Sequence, residues 1–396
     1  MAVVLLTGFS CGIPLALSGA TLQAWMASAK VDLAIIGVFS LVGLPYTVKF
    51  LWSPFMDRYI PPFLGRRRGW MIVSQLSVAV AVSMMAFSNP VTNPEIMALL
   101  AILVAFFSAS QDIAVDAYRT EILKPEELGA GSGIYVMGYR IAMLCSGALS
   151  LIMSDHLQWK TVYLIMAGTM LIGVITTLSA SEPEIKDKPP NSIKDAIIHP
   201  FIDFFQRRGA FEILVFILLY KIDTAVAGSL ITPFMLQLGF TKTDIGAVMK
   251  GFGFFATIAG TLVGGAVMVR LKMRLSLLIF GILQGIAGFS FMLLAYLGHN
   301  YPMMMIAITV ENFFSGAGTA AFDAFIMSCC NKKFTATQYA LLTSFMAFTR
   351  VIVGAPTGWL AKNVGWEMYF FISVLLSIPG LLMLFRFNKW TNLRES

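Results

Sequence analysis

Twelve apolar runs follow one another along the chain, most with only short connections between them. They cover about residues 1–27, 33–55, 69–88, 95–118, 129–152, 160–180, 211–236, 243–269, 275–297, 302–328, 338–361 and 366–386. A helix crossing the hydrocarbon core of a bilayer needs roughly 20 apolar residues. Within lipid only helices and closed barrels satisfy their own backbone, and runs this long without strand-length alternation exclude the barrel. The sequence therefore predicts an all-α polytopic membrane protein with twelve transmembrane helices. Composition points the same way: 58% of the 396 residues are AVILMFWYC and 12% are charged, about half the ~25% charged share of soluble domains. So little charge cannot coat a water-soluble domain of this size, which argues against a soluble enzyme, a disordered chain or a disulfide scaffold.

The net charge of +7 does not point to nucleic acid, because the basic residues lie in short loops between apolar runs. Cys11 and Cys145 lie inside runs, and Cys329 and Cys330 end one; this is no pattern for a disulfide framework or a metal site. The three histidines lie near run edges or in the longest connection, so no metal is expected. No Gly-x-x-x-x-Gly-Lys loop occurs, which leaves no motif for an ATP-driven pump, and no cofactor is expected. The first basic residue is Lys30, so a positively charged leader region is missing and the first run is expected to stay as a span. Nineteen Lys and Arg residues fall in the loops after spans 2, 4, 6, 8 and 10 and after span 12, against four in the opposite loops. That excess predicts both termini in the cytoplasm. The longest connection, 181–210, holds Pro183, Pro189 and Pro190 and an amphipathic stretch around 193–206. It separates two six-helix halves, 1–180 and 211–388, and a cytoplasmic tail follows at 389–396.

The halves repeat. FFSASQDIAVDA (106–117) matches FFSGAGTAAFDA (313–324) at an offset of 207, and Trp159 falls on Trp366 at the same offset. TLQAWM (21–26) parallels LITPFM (230–235), Ile36-Gly37 parallels Ile245-Gly246, and Arg140 falls on Arg350. Six spans per repeat is an even number, so the repeats are parallel, as are the two halves of major facilitator transporters. Glycines such as Gly260, Gly264 and Gly265, or Gly129, Gly131 and Gly133, suit close helix crossing.

Ten charged residues lie inside the runs and away from their first and last two positions: Lys49, Arg140, Lys221, Lys250, Arg350, Asp112, Asp116, Asp223, Glu311 and Asp323. A charge in lipid costs at least about 2.5–3.5 kcal/mol unless it has a partner or a wet cavity, so ten of them imply a water-accessible path. None lies in runs 1, 3, 6, 9 or 12; the major facilitator architecture places 3, 6, 9 and 12 outermost. The repeat sorts these charges. Asp116 and Asp323 are equivalent, as approximately are Arg58 and Arg270. Equivalent charges at span ends fit a gating latch, in which Asp57 and Arg119 are placed as well. Asp112 has Thr319 opposite it and Glu311 has Val104. Asymmetric charges suit substrate or protons, or else make satisfied helix–helix pairs. Asp112 is the first choice for proton coupling, with Glu311 and Asp223 as alternatives. Arg140 and Arg350 come out near the midplane. They either clamp an anion from two sides, with Lys221 beside them, or pair with Asp223 and Glu311. Arginine forks hold carboxylates bidentately. Trp25, Tyr139, Gln23, Gln111 and Asn312 offer the aromatic faces and amides that sugars need, Trp25 having an interfacial anchor as its other reading.

SPFMDRYIPPFLGRRRGW (53–70) resembles the major facilitator loop signature Gly-x-x-x-Asp-Arg-x-Gly-Arg-Arg, with Ser53 for the leading Gly and a longer insert before Gly65. GFSCGIPLALSGATLQAWM (8–26), SASQDIAVDAYRTEIL (108–123), GYRIAM (138–143), ENFFSGAGTAAFDA (311–324) and CNKKFTATQYALLTS (330–344) are similar to the AmpG family of muropeptide permeases. The resemblance covers essentially the whole chain. It implies the major facilitator fold and proton-driven import of N-acetylglucosaminyl-anhydro-N-acetylmuramyl peptides from periplasm to cytoplasm. It also implies a place in the bacterial inner membrane, in peptidoglycan recycling and, in some bacteria, in β-lactamase induction. Gln111, Asp112, Asp116, Gly138 and Arg140 fall on characteristic family positions. The expected partners are the anhydro-muropeptide, protons and the lipid bilayer, and the expected state is a monomer. Two rivals stand beside this reading: an importer of another anionic or amphipathic solute, acyl-CoA-like or siderophore-like, and a membrane-bound enzyme. The enzyme is disfavoured because no nucleophile–base pair or metal cluster gathers at one membrane face.

Overall fold

The structure is a computed structural model that describes residues 1–31, 39–184, 192–207, 209–354, 356–387 and 390. Helices dominate it, and no strand occurs among the described residues. Nine described helices are long and apolar enough to cross a membrane. In chain order the elements are α1 (Ala2–Ser28), a segmented α2 (Leu41–Leu51 and Ser53–Arg58), α3 (Arg66–Phe87), α4 (Pro94–Ile122), α5 (Pro125–Ser154) and α6 (Trp159–Ser179). A linker helix, Ile193–Phe205, precedes α7 (Ala210–Gln237), α8 (Asp244–Met268), α9 (Met273–Leu297), α10 (Tyr301–Cys329), α11 (Thr335–Gly354) and α12 (Thr357–Met383). Inside α12 the backbone leaves the helix at Gly365, with φ +77°. The stretch before that break continues the eleventh expected span, and the helix resumes at Trp366, where the twelfth was expected. Residues 33–38 of the second expected span lie outside the described residues.

Irregular backbone is confined to particular helices. The α1 helix breaks at Gly19, α2 contains 3-10 turns at Phe39–Gly43 and Lys49–Leu51, and α7 breaks at Lys221 and Leu230. The α5 and α8 helices each carry a π turn, Cys145–Leu149 and Met249–Gly253. By contrast α3, α4, α6, α9 and α10 run unbroken. Such turns free backbone groups, which membrane proteins tolerate where neighbouring groups or a cavity re-satisfy them.

Two helix boundaries differ from the sequence expectation. Arg66, Arg67 and Arg68, expected in a loop, form the first turn of α3. Gly65 at φ +85° turns the chain into it, and the Glu182 carboxylate accepts from the Arg67 and Arg68 amides at 2.8 and 3.0 Å. An acid there satisfies orphan donors and complements the helix dipole. Arg68 returns the exchange by donating to the Thr177 and Leu178 carbonyls that end α6, at 2.9 and 2.8 Å. The α4 helix reaches Ile122 rather than stopping near 118, so Arg119 is a buried helical residue and not a loop cation.

The chain packs as two compact units: residues 1–124, 134–200 and 330–344 in the first, and 125–133, 201–329 and 345–396 in the second. Each has its own core. Ile13, Leu17, Val78, Val82, Met85, Val104, Met166 and Met170 lead the first; Phe234, Met235, Phe291, Leu294, Ile308 and Phe370 lead the second. The cores reproduce the repeat. Trp159 donates to Ser28 Oγ at 3.0 Å, and Trp366 donates to Gln237 Oε1 at 2.8 Å. Tyr163 donates to the Leu17 carbonyl, as Tyr369 does to that of Val226. Small residues allow tight crossings: a side chain at Gly138 would meet the Leu5 carbonyl of α1, and one at Gly260 the Phe313 carbonyl of α10. Large apolar side chains such as Phe87, Leu99, Ile175 and Phe255 are left exposed, as suits surfaces that face lipid.

Candidate functional site

In the first unit, α4 carries the chemistry. Asp112 and Asp116 are one turn apart and share a face. Lys49, from the 3-10 turn of α2, pairs with Asp116 at 3.5 Å, and Arg119 bonds the same carboxylate at 3.0 and 3.1 Å. All three are buried. Arg119 also donates to the Tyr339 hydroxyl, and its guanidinium lies over the Tyr135 ring at 4.2 Å. Asp112 has a different lot: its Oδ1 is buried without a hydrogen bond, and Cys11, Lys49 and Asp116 are its polar neighbours. Arg140 is half-buried and has no hydrogen-bond or ion-pair partner among the described residues. Its sequence neighbour Tyr139 has Asp112 among its charged neighbours. Gln111 points elsewhere: fully buried, it donates to Ser10 at 2.8 Å and reaches Cys11 Sγ at 3.5 Å.

A second ionic cluster occupies the α2–α3 end of the same unit. Arg67, only 1% exposed, bonds Asp57 at 2.9 Å and Glu121 through Nε at 2.9 and 3.0 Å and Nη2 at 2.5 Å. Asp57 accepts from the Thr337 amide and hydroxyl at 2.8 and 2.7 Å. Arg58 stands apart from Asp116, half-buried over the Tyr59 ring.

In the second unit the charges around the α7 break are held at arm's length. Lys221, at the break in α7, bonds two neutral oxygens, Gln284 Oε1 and Thr319 Oγ1, each at 3.3 Å. Gln284 Nε2 donates to Asp223 at 3.0 and 3.2 Å and to Thr224 at 2.8 Å. Glu311 is buried with no hydrogen bond or ion pair among the described residues, although Lys221 and Asp223 are its charged neighbours. Asn312 is spent on packing, bonding Thr257 of α8 and the Ile308 carbonyl. Asp323 is half-buried and Arg270 exposed. The side chains of Lys250 and Arg350 lie outside the described residues.

The Major Facilitator Superfamily description matches residues 2–297 and 213–394. The anhydromuropeptide permease of Escherichia coli K12 is 46% identical over 97% of this chain and 78% of its own length. The putative transporter AmpG 4 of Rickettsia conorii is 33% identical over 98% of this chain and 96% of its own. The chain belongs to the AmpG family of the major facilitator superfamily. Among solved structures, FucP, a major facilitator transporter in the outward conformation, superposes with a TM-score of 0.75 at 11% identity, covering 98% of this chain and 97% of that one; that likeness shows the fold. An AmpG-family chain is a multi-pass membrane transporter, so the buried charges of both units belong to a transport protein.

Within this AmpG-family chain, the structure gathers Asp112, Asp116, Arg119, Tyr139 and Arg140 around α4 and α5, and Lys221, Asp223 and Glu311 around α7 and α10. Trp25 is 7% exposed and stacks on Trp159 at 5.9 Å, so its ring faces are covered by protein. Gln23 is half-buried, and Gly138 serves the α1–α5 crossing. Sequence reasoning missed Gln284, the amide that holds Lys221 and Asp223 apart. A signal was present: Gln75 and Gln284 are 209 residues apart, in step with the repeat, and both are buried. Glu121, Tyr46 and Ser108 were also missed, the last two because a lone hydroxyl in an apolar run carries no pattern.

Proposed function

We propose that the chain is a proton-coupled secondary transporter that imports GlcNAc-anhydroMurNAc peptides from periplasm to cytoplasm for peptidoglycan recycling, by alternating access across the bacterial inner membrane. The 46% identity to an anhydromuropeptide permease over 97% of the chain carries this reading. The chemistry is compatible. A muropeptide is polar and anionic through its peptide carboxylates, and the Arg140 guanidinium fork is unpaired among the described residues. A symporter also needs an acid that exists charged and neutral in turn; Asp112 and Glu311 have no ion pair among the described residues.

In this reading both termini are cytoplasmic and residues 1–180 and 211–388 are the halves that move. The 181–210 connection and the 389–396 tail lie on the cytoplasmic side, and the working unit is a monomer. Arg140, Lys221 and Arg350 attract the anion, with Gln23 and Tyr139 as the further candidate contacts, since Trp25, Gln111, Gly138 and Asn312 are engaged in packing. Asp57, Arg58, Asp116, Arg119, Arg270 and Asp323 serve the gate. Delivery of the same cargo links the transporter to β-lactamase induction in hosts that sense it.

The test is uptake of labelled disaccharide–tetrapeptide by proteoliposomes under an imposed proton gradient. Accumulation that a protonophore abolishes is the expected result. No uptake, with uptake of an acyl-CoA-like or siderophore-like anion instead, would replace the cargo; accumulation indifferent to the protonophore would remove the proton.

A further inference from the structure

Among the buried polar atoms of the first unit without a hydrogen bond are the Tyr46 hydroxyl, Ser108 Oγ and Asp112 Oδ1. Native proteins rarely leave such atoms empty-handed, because burial strips off water without replacing it. These three are not scattered. Ser108 and Asp112 are four apart on α4 and share a face. Tyr46, from α2, faces Ser108 and Ser18 and has Asp112 and Cys11 as charged or polar neighbours. Tyr139 of α5 borders both Tyr46 and Asp112 and stands next to Arg140. Tyr46, Asp112, Tyr139 and Arg140 all keep part of their surface accessible.

Donor and acceptor counting narrows what fits. An ionised carboxylate only accepts, whereas a phenol and a serine hydroxyl both donate and accept. A ligand carboxylate is repelled by Asp112. An amide N–H satisfies Asp112 but offers nothing to a donor. A hydroxyl can donate to Asp112 while accepting from Tyr46 or Ser108, and two neighbouring hydroxyls serve all three atoms. We propose that Tyr46, Ser108 and Asp112 form a subsite that reads sugar hydroxyls, leaving the cargo's carboxylate to Arg140. This rests on the muropeptide reading and divides that cargo between two places one helix apart. It also puts sugar on the same carboxyl that the proton is proposed to use.

The experiment is equilibrium binding of labelled anhydro-disaccharide, with and without its stem peptide, to the purified full chain. Tyr46→Phe keeps the ring and deletes the hydroxyl; Ser108→Ala deletes a hydroxyl that bonds nothing, so neither removes a contact that holds the fold. Each variant is expected to weaken disaccharide binding at least about fivefold, with melting temperature unchanged and with a similar loss for the peptide-bearing cargo. If the native chain binds the disaccharide and both variants match it within twofold, the three atoms hold water only and the subsite is wrong. If the native chain binds no disaccharide at all, the muropeptide reading itself fails and takes the sugar subsite with it.

Discussion

Helices α4 and α10 are copies in sequence, and they hold charge in opposite ways. On α4, Asp116 meets Lys49 and Arg119 directly. On α10, the position of Asp112 is taken by Thr319, whose hydroxyl serves Lys221 as a neutral acceptor, and no ion pair joins Lys221 to Asp223 or Glu311 among the described residues. The scaffold around them is the same: paired Trp, Tyr and Gln residues recur at matching places in both cores. The repeat therefore preserves packing while the charges diverge. A scaffold serves any helical bundle, but cargo and protons are not symmetric, so their contacts need not be copied. Direct pairing makes the α4 charges costly to separate. Spacing by an amide leaves the α7–α10 charges close to alternative partners.

The largest effect that tests this contrast is Asp112→Asn. The substitution should abolish proton-driven accumulation, a loss of tenfold or more, while cargo binding and cargo–cargo exchange persist in proteoliposomes. Full proton-coupled uptake by the variant would move the proton to Glu311, on the other side of the comparison.

Next comes Arg67→Met, which probes the paired style of the first unit. It leaves Asp57 buried without its cation and Glu121 with only the 3.5 Å contact to Arg66. Breaking a buried pair from one side costs about 3–5 kcal/mol, so the yield of monodisperse protein and its melting temperature should fall sharply. A melting temperature within a degree of the native one would mean that the cluster is not needed for stability.

Gln284→Leu tests the spaced style. It removes the acceptor of Lys221 and the donor to Asp223 together, at similar volume. Lys221 is then expected to pair with Asp223 or Glu311 directly, slowing transport several-fold with less change in cargo affinity. Thr319→Asp should slow transport by a similar or smaller factor, since it rebuilds the α4 arrangement on α10 by placing a carboxylate against Lys221. If both variants transport at the native rate, the spacing of these charges has no role in the cycle.

Much of this contrast was legible in the sequence. The apolar runs announced the spanning helices, and the offset near 207 announced the repeat. The ten charges inside the runs stood out because lipid makes each of them expensive. The rest depended on contacts that no periodicity encodes. Arg119 read as a loop residue because a charged residue ends an apolar run; only its burial against Asp116 and Tyr135 shows why α4 continues past it. Trp25 read as a sugar platform because aromatic rings do bind sugars, yet its faces are taken by Trp159 and Tyr163. Gln284 escaped because an uncharged amide does not register in a search for charges, although its repeat partner Gln75 marked it.

The smallest expected effect is also the most selective. Arg140 is the one cation of the first unit's candidate site that the described contacts leave unpaired, in contrast to Lys221, which already has two oxygen partners. Arg140→Lys keeps the charge and loses the planar fork, so a bidentate carboxylate contact weakens to a single point contact. A contact made to cargo predicts selectivity: transport of peptide-bearing muropeptide should fall several-fold, and transport of the peptide-free anhydro-disaccharide should change little. A structural role predicts no selectivity, because no described residue is bonded to the guanidinium for the lysine to lose. Competitive uptake of the two cargoes by native and variant proteoliposomes separates these outcomes. An equal loss for both would move the carboxylate contact off Arg140 and onto the cations of the second unit.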